Sequence, residues 1–372
     1  MGSFDAIIVG AGIVGSACAR ECALAGLKVA VVEPGVPGGA ASAAGMGHVV
    51  VMDDSPAQLA LSRYGRELWQ ELRPALPAGV EYEQRGTLWV AADDEEMAEV
   101  HAKRATYARV GVSTEVLDAQ GVAEAEPNLR KGLAGGLLVP EDAVVYPPAA
   151  AAFFLRDAVK CGAKLIRGSR AVAAAKGTLR LQDGISLTAA KIVIASGTDT
   201  SLVPWVTVKP RKGHLAITDR YPGYVHHQIV ELGYLKSAHS VSADSVAFNV
   251  QPRQTGQILI GSSRQYGDTA PAVDAAILKR MIDRACEYMP GMRELSVIRL
   301  WTGFRASTPD KLPLIGPTPD STVDLLMGFE GLGITNAPSA GKLAADHVLG
   351  RTPSIDGTPF LPERLTREAL VA

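Results

Sequence analysis

The feature that most restricts this chain lies in its first 33 residues. Phe4-Asp5-Ala6-Ile7-Ile8-Val9 is a short β-branched run that leads straight into Gly10-Ala11-Gly12-Ile13-Val14-Gly15 and a helical stretch, Ser16 to Ala25. Gly26 interrupts it, and a second strand, Lys28 to Val32, ends at Glu33. Strand, glycine turn, helix, strand and terminal acid in this register predict a βαβ unit that holds a dinucleotide. Gly10 permits the tight turn, Gly12 lets the backbone approach a pyrophosphate, and Gly15 lets helix and strand pack closely. The helix N-terminus turns its N–H groups toward the phosphates, so the whole turn, with Ala11, Ile13 and Val14 between the glycines, is a candidate contact. Glu33, followed by Pro34, stands where its carboxylate accepts from ribose hydroxyls, which argues against a 2′-phosphate. NAD and FAD both remain.

The next segment separates them. Gly38-Gly39-Ala40-Ala41-Ser42-Ala43-Ala44-Gly45-Met46-Gly47-His48 is a run of small residues, suited to a backbone laid closely along an extended ligand. An NAD enzyme has no need of it there, so FAD is favoured; a flexible loop without a ligand is the other reading.

At 372 residues, with 47% hydrophobic and 20% charged residues, the chain has room for two domains with sizeable cores. Lys plus Arg is 37 against 39 for Asp plus Glu, a balance with no broad attraction for nucleic acid or an anionic membrane. No apolar run approaches the roughly 20 residues that span a bilayer, and the N-terminus lacks the basic start of a signal peptide. The expectation is a cytoplasmic protein without a transmembrane segment, peripheral membrane association being left open, acting on a small molecule. Cys18, Cys22, Cys161 and Cys286 show neither a CxxC nor metal spacing, and Cys18 and Cys22, one helical turn apart, read as core. His214, His226, His227 and His239 are too dispersed to predict a metal site.

With these motifs the chain resembles the D-amino acid oxidase superfamily of FAD-dependent amine oxidoreductases, which includes glycine oxidase, sarcosine oxidase and D-amino acid dehydrogenases. Within it the likeness is greatest to the flavin subunits of D-hydroxyproline dehydrogenases. The resemblance covers essentially the whole chain and implies a fold: α/β, with a Rossmann-like FAD-binding domain on a mainly parallel sheet and a second, α+β substrate domain on a mainly antiparallel sheet. It implies that Ser42, Ala44, Gly45 and Met46 run along the flavin, with His48 near the ring. Ile192-Val193-Ile194-Ala195-Ser196-Gly197 resembles the strand and turn that return to FAD, implicating Ala195 and Gly197, and Val172 would reach the adenine side. Gly328-Phe329-Glu330-Gly331-Leu332-Gly333-Ile334-Thr335 resembles the turn that closes the flavin site, implicating Gly331, Leu332, Gly333, Ile334 and Thr335.

These motifs make the cofactor domain discontinuous, at 1–81, 141–212 and 299–372, with a substrate domain at 82–140 and 213–298. Periodicity predicts helices over Pro56 to Leu72, Asp94 to Val110 and Ala272 to Tyr288; Tyr146-Pro147-Pro148 starts another, Ala149 to Lys160, and the resemblance implies that the closing turn leads into a helix at Lys342 to Leu349. Strands are expected at Leu88 to Ala91, His214 to Thr218, Val246 to Val250 and Gln257 to Ile260, with a hairpin formed by Leu179 to Leu181 and Ile185 to Leu187.

On the substrate side, Arg305 matches the family arginine that grips the substrate carboxylate, a task for which its planar fork is suited. Asn249, beside Phe248, occupies the strand where glycine oxidase-like members carry a carboxylate-binding tyrosine, and Glu330 is a candidate for contact with a substrate amine or hydroxyl. Three departures from the family matter. Ser307 and Thr308 stand where sarcosine oxidases attach flavin to a cysteine, so non-covalent FAD is implied. Leu259 replaces the oxygen-activating lysine, and the closing turn offers Gly331 and Leu332 where glycine oxidase has an arginine. A less cationic, more apolar pocket is expected from these replacements. The implied activity is oxidation of a D-amino or secondary amino acid, with cis-4-hydroxy-D-proline or D-proline foremost, to the imino acid by hydride transfer to flavin N5. A glycine/sarcosine-type oxidase and an electron-carrier subunit are the alternatives. Partner subunits and the electron acceptor (oxygen, a quinone or an iron–sulfur partner) are left open.

Overall fold

Strands that alternate apolar residues toward two covered faces must lie inside a layered domain, and the N-terminal strands do so. The computed structural model describes residues 3–233 and 244–368, with side chains to 365; His239 lies outside the described residues. The first sheet runs in the order Leu314–Pro317, Val323–Met327, Ser186–Ile194, Phe4–Val9, Val29–Glu33, Lys164–Arg167. Its pairings are parallel except the first, and the hairpin Ala171–Ala175/Thr178–Leu181 extends Ser186–Ile194. Ile8, Val29 and Val31 pack toward Cys18, Cys22, Leu155 and Leu343 of the helices Ile13–Leu24, Pro147–Lys160 and Ala337–Leu349. Ile7, Val9, Ala30 and Val32 face the opposite core, with Leu179 and Leu187. This two-residue alternation is why both layers close over the sheet. Cys18 and Cys22 are buried, and their mutual hydrogen bond and burial hold the Cys18 thiol well above its ordinary value.

The second sheet follows the order Val297–Ser307, Lys209–Arg220, Gln257–Arg264, Ser245–Pro252, Gln228–Glu231, Thr87–Ala91, Gly135–Val139, Glu115–Asp118. Only Gln228–Glu231 against Thr87–Ala91 is parallel. One face is covered by the helix Ala275–Tyr288, where Phe248 stacks on Tyr288 with centroids 4.6 Å apart. Alternation along Ser245–Pro252 therefore turns Asn249 to the other face, toward the first sheet.

Helix Pro56–Leu72 has the expected bounds, fixed by Ser55, whose side chain accepts from Gln58 N at 3.1 Å. Other elements extend beyond their sequence signals. The first helix starts at Ile13, inside the glycine turn, and the helix expected from Lys342 starts at Ala337, because Pro338 at its first turn costs no hydrogen bond. The small-residue run contains a short helical turn, Ala41–Ala44. The expected boundaries at 212/213 and 298/299 fall inside Lys209–Arg220 and Val297–Ser307, two long strands of the second sheet. No described helix is long and apolar enough to cross a membrane.

Candidate active site

Between the sheets lies a cavity of about 730 Å³, large for a small-molecule site. One end is the glycine turn. Gly10 holds φ at +108°, and a Cβ there would stand 2.4 Å from Ala195 O. At Gly15 it would stand 2.1 Å from Gly10 O, so strand, turn and helix touch backbone to backbone. Gly12, Ile13, Val14 and Gly15 line the cavity, and Gly12 supplies no capping side chain, which leaves the helix N-terminus turned to it. Ser42 Oγ accepts from Ile13 N at 3.0 Å, which ties the small-residue run to this turn.

Glu33 is anchored first by the protein itself: Oε2 accepts from Ala11 N and Oε1 from Gly35 N, both at 2.8 Å. Each carboxylate oxygen retains a second lone pair, so the aligned group can still accept from a ligand hydroxyl. Glu33, Pro34, Ala195 and Gly197 line the cavity. Ala11 and Thr335 are fully buried behind it instead. Val172 is 43% exposed and does not line the cavity, which is edged there by Arg170 and Ala171.

The middle of the cavity is walled by Ala44, Gly45, Met46 and His48 on one side and by Gly331, Leu332, Gly333 and Ile334 on the other. Thr335 Oγ1 donates to His48 O at 3.0 Å and accepts from Val50 N at 3.1 Å, fixing the two walls to each other. Trp69 Nε1 donates to Ile334 O at 2.9 Å. Met46 packs on Leu215 and Leu259, so the residue at the lysine position belongs to an apolar floor. His48 Nε2 has no partner among the described residues. Burial, with Arg305 nearby, lowers its pKa to about 4, so the imidazole is neutral at pH 7.

The far end is built on the second sheet. Arg305 donates from Nη1 to Ser263 O at 3.0 Å, and its guanidinium lies over Gly213, where a Cβ would come within 2.4 Å of it. Arg211, directly opposite Arg305 in the strand register, forms an ion pair with Glu330 and donates to Tyr266 OH at 3.0 Å. The Glu330 carboxylate is therefore engaged by the protein, and its φ of +57° sets the bend before Gly331. Arg264, Gln228, Trp89 and Asn249 complete this end. Arg211 and Arg264 join Arg305 on the cavity, so its cations come from the second sheet and not from the closing turn. Arg211, Gly213 and Leu215 line it at every second position, the signal by which Arg211 was findable once the strand Lys209–Arg220 was known. Ser307 and Thr308 are buried away from the cavity, with Thr308 Oγ1 donating to Leu312 O at 2.8 Å. Among the histidines, His214 Nδ1 meets Ser263 Oγ at 2.9 Å and His227 Nδ1 meets Glu126 at 2.8 Å, both in structural networks.

Residues 5–347 match the model of a family described as FAD dependent oxidoreductase. The chain belongs to that family. Glycine oxidase of Pseudomonas aeruginosa is 28% identical over 96% of this chain and 98% of its own length. The crystal structure of glycine oxidase from Geobacillus kaustophilus superposes with a TM-score of 0.86 at 24% identity, covering 97% of this chain and 98% of that one. L-proline dehydrogenase from P. horikoshii gives 0.87 at 21%, covering 98% of each. The chain is an FAD-dependent amino acid oxidoreductase, and its cavity suits that cofactor: a glycine cradle and helix N-terminus at one end, an aligned acid beside them, and a long small-residue wall leading to the arginines.

Proposed function

We propose that this flavoenzyme oxidises a D-amino or secondary amino acid, cis-4-hydroxy-D-proline or D-proline foremost, to the corresponding imino acid. The observation that carries the reading is Arg305, a cation lining the cavity at the end remote from the dinucleotide cradle. Its guanidinium suits a carboxylate, because two parallel charge-assisted bonds fix both position and rotation of the substrate. Ser263 O and the flanking Gly213 and Gly331 hold the guanidinium in place without crowding it. FAD supplies the acceptor for the electron pair of the substrate's α C–H bond. The protein's task is positioning, and we assign no obligatory general base: His48, neutral and beside the middle of the cavity, contacts the ligand without carrying charge.

The cofactor contacts proposed are Gly10 to Gly15, Glu33, Pro34, Ser42, Ala44 to Met46, Ala195, Gly197 and Gly331 to Ile334, with Ala11 and Thr335 acting from behind and Val172 through its backbone. We propose non-covalent attachment, since no cysteine lines the cavity among the described residues. The test is anaerobic addition of amino acids to the flavin-loaded protein. Bleaching near 450 nm (an approximate band for oxidised flavin) by D-hydroxyproline or D-proline but not glycine is the expected result. Flavin that no amino acid reduces would exclude the proposal and favour an electron-carrier subunit.

A further inference from the structure

The end of the cavity that holds Arg305 also holds two buried amide side chains that the proposed chemistry does not use. Gln228 lies on Gln228–Glu231 and Asn249 on the adjacent Ser245–Pro252, where Val230 is paired with Asn249. Gln228 is two residues from Val230 and shares its face, so the two amides are diagonal neighbours about 7–8 Å apart along the sheet. Both line the cavity, 2% and 6% exposed. Gln228 Oε1 and Asn249 Oδ1 have no hydrogen-bond partner among the described residues.

The Gln228 amide is oriented by Thr87, whose Oγ1 accepts from Gln228 Nε2 at 3.4 Å. With the amide N–H held by Thr87, Oε1 is the polar atom that Gln228 presents. Two buried carbonyl oxygens without donors are costly unless a ligand supplies the donors.

We infer that Gln228 and Asn249 form a specificity subsite for an amino acid whose side chain carries a hydrogen-bond donor, a hydroxyl or an amine. The inference rests on the amino acid oxidation proposed above and sharpens its substrate class. A site of this kind discriminates strongly, because the analogue without the donor leaves the acceptors unpaired. It favours a ring hydroxyl over a bare ring, a preference that the arginines alone do not create.

The experiment measures kcat/KM on the holoenzyme, by anaerobic flavin reduction, for matched pairs: cis-4-hydroxy-D-proline with D-proline and D-serine with D-alanine. In at least one pair the donor-bearing member should be preferred by about tenfold or more. Gln228→Met should cut that preference at least tenfold by lowering the rate with the donor-bearing member and raising it with the other. Should that variant fail to load flavin, Asn249→Leu carries the same comparison. Reduction by the ring acids with no preference in either pair, or a preference untouched by the substitution, overturns the subsite and leaves the oxidation reading standing. A preference confined to the serine pair, with neither ring acid reducing the flavin, upholds the subsite and rejects the ring substrate. Flavin that no member reduces overturns both.

Discussion

Replacing Arg305 by alanine removes the guanidinium and leaves a hole that the flanking Gly213 and Gly331 cannot fill. Arg305 is held from the sheet side by Ser263 O, so substrate binding needs little rearrangement of the arginine and draws on the full value of a preset ionic contact. Deleting one partner of a buried charge pair costs about 2–5 kcal/mol. That corresponds to a rise of about 30- to 5,000-fold in the substrate's apparent dissociation constant. Arg305→Lys keeps the charge but not the fork, and should fall between alanine and the parent. The assay is stopped-flow flavin reduction under anaerobic conditions, with the dissociation constant taken from the substrate dependence of the rate. Flavin content and absorbance of both variants should match the parent, since the residue stands apart from the glycine cradle. An alanine variant whose dissociation constant stays within twofold of the parent's would refute the assigned grip.

Other expectations follow from the same geometry. Gly15→Ala forces a Cβ to 2.1 Å from Gly10 O; overpacking of this kind costs about 1–3 kcal/mol, and the purified variant should carry far less flavin, read from its 450 to 280 nm absorbance ratio. Ser55→Ala removes the cap of Pro56–Leu72 and should lower stability by about 1 kcal/mol in urea unfolding. His48 has a folded pKa of about 4, below its unfolded value of about 6.5, so the unfolded chain binds the extra proton between those limits and the histidine lowers stability as pH falls through that window. His48→Gln should therefore gain melting temperature relative to the parent as pH drops from about 6.5 to 4; a difference independent of pH would contradict it.

Much of the cofactor half was legible because its signals are local. Gly10 to Glu33 form a contiguous motif, and the alternation of Ile7, Ile8 and Val9 between two cores shows directly as a continuous apolar strand. The substrate half was less legible. Gln228–Glu231 is four residues long and entirely buried, too short for a period, and its parallel pairing with Thr87–Ala91 joins segments 141 residues apart. Arg211 and Arg264 carry no motif; only the register across Lys209–Arg220 and the neighbouring strands turns them toward the cavity. Glu330 was visible as a candidate, but its engagement by Arg211 depends on the closing turn meeting the second sheet, which no local pattern encodes.

The place of Phe4–Val9 in the first sheet has a consequence for biosynthesis. This strand is made before both of its neighbours, yet it occupies the middle of the sheet, between Val29–Glu33 and Ser186–Ile194. One edge must wait for a partner made more than 150 residues later. At typical elongation rates that is on the order of ten to thirty seconds with an apolar strand edge open. The nascent chain should then need chaperones early, and retention of the flavin becomes a late event that waits for Ser186–Ile194 and for the closing turn at 328–335.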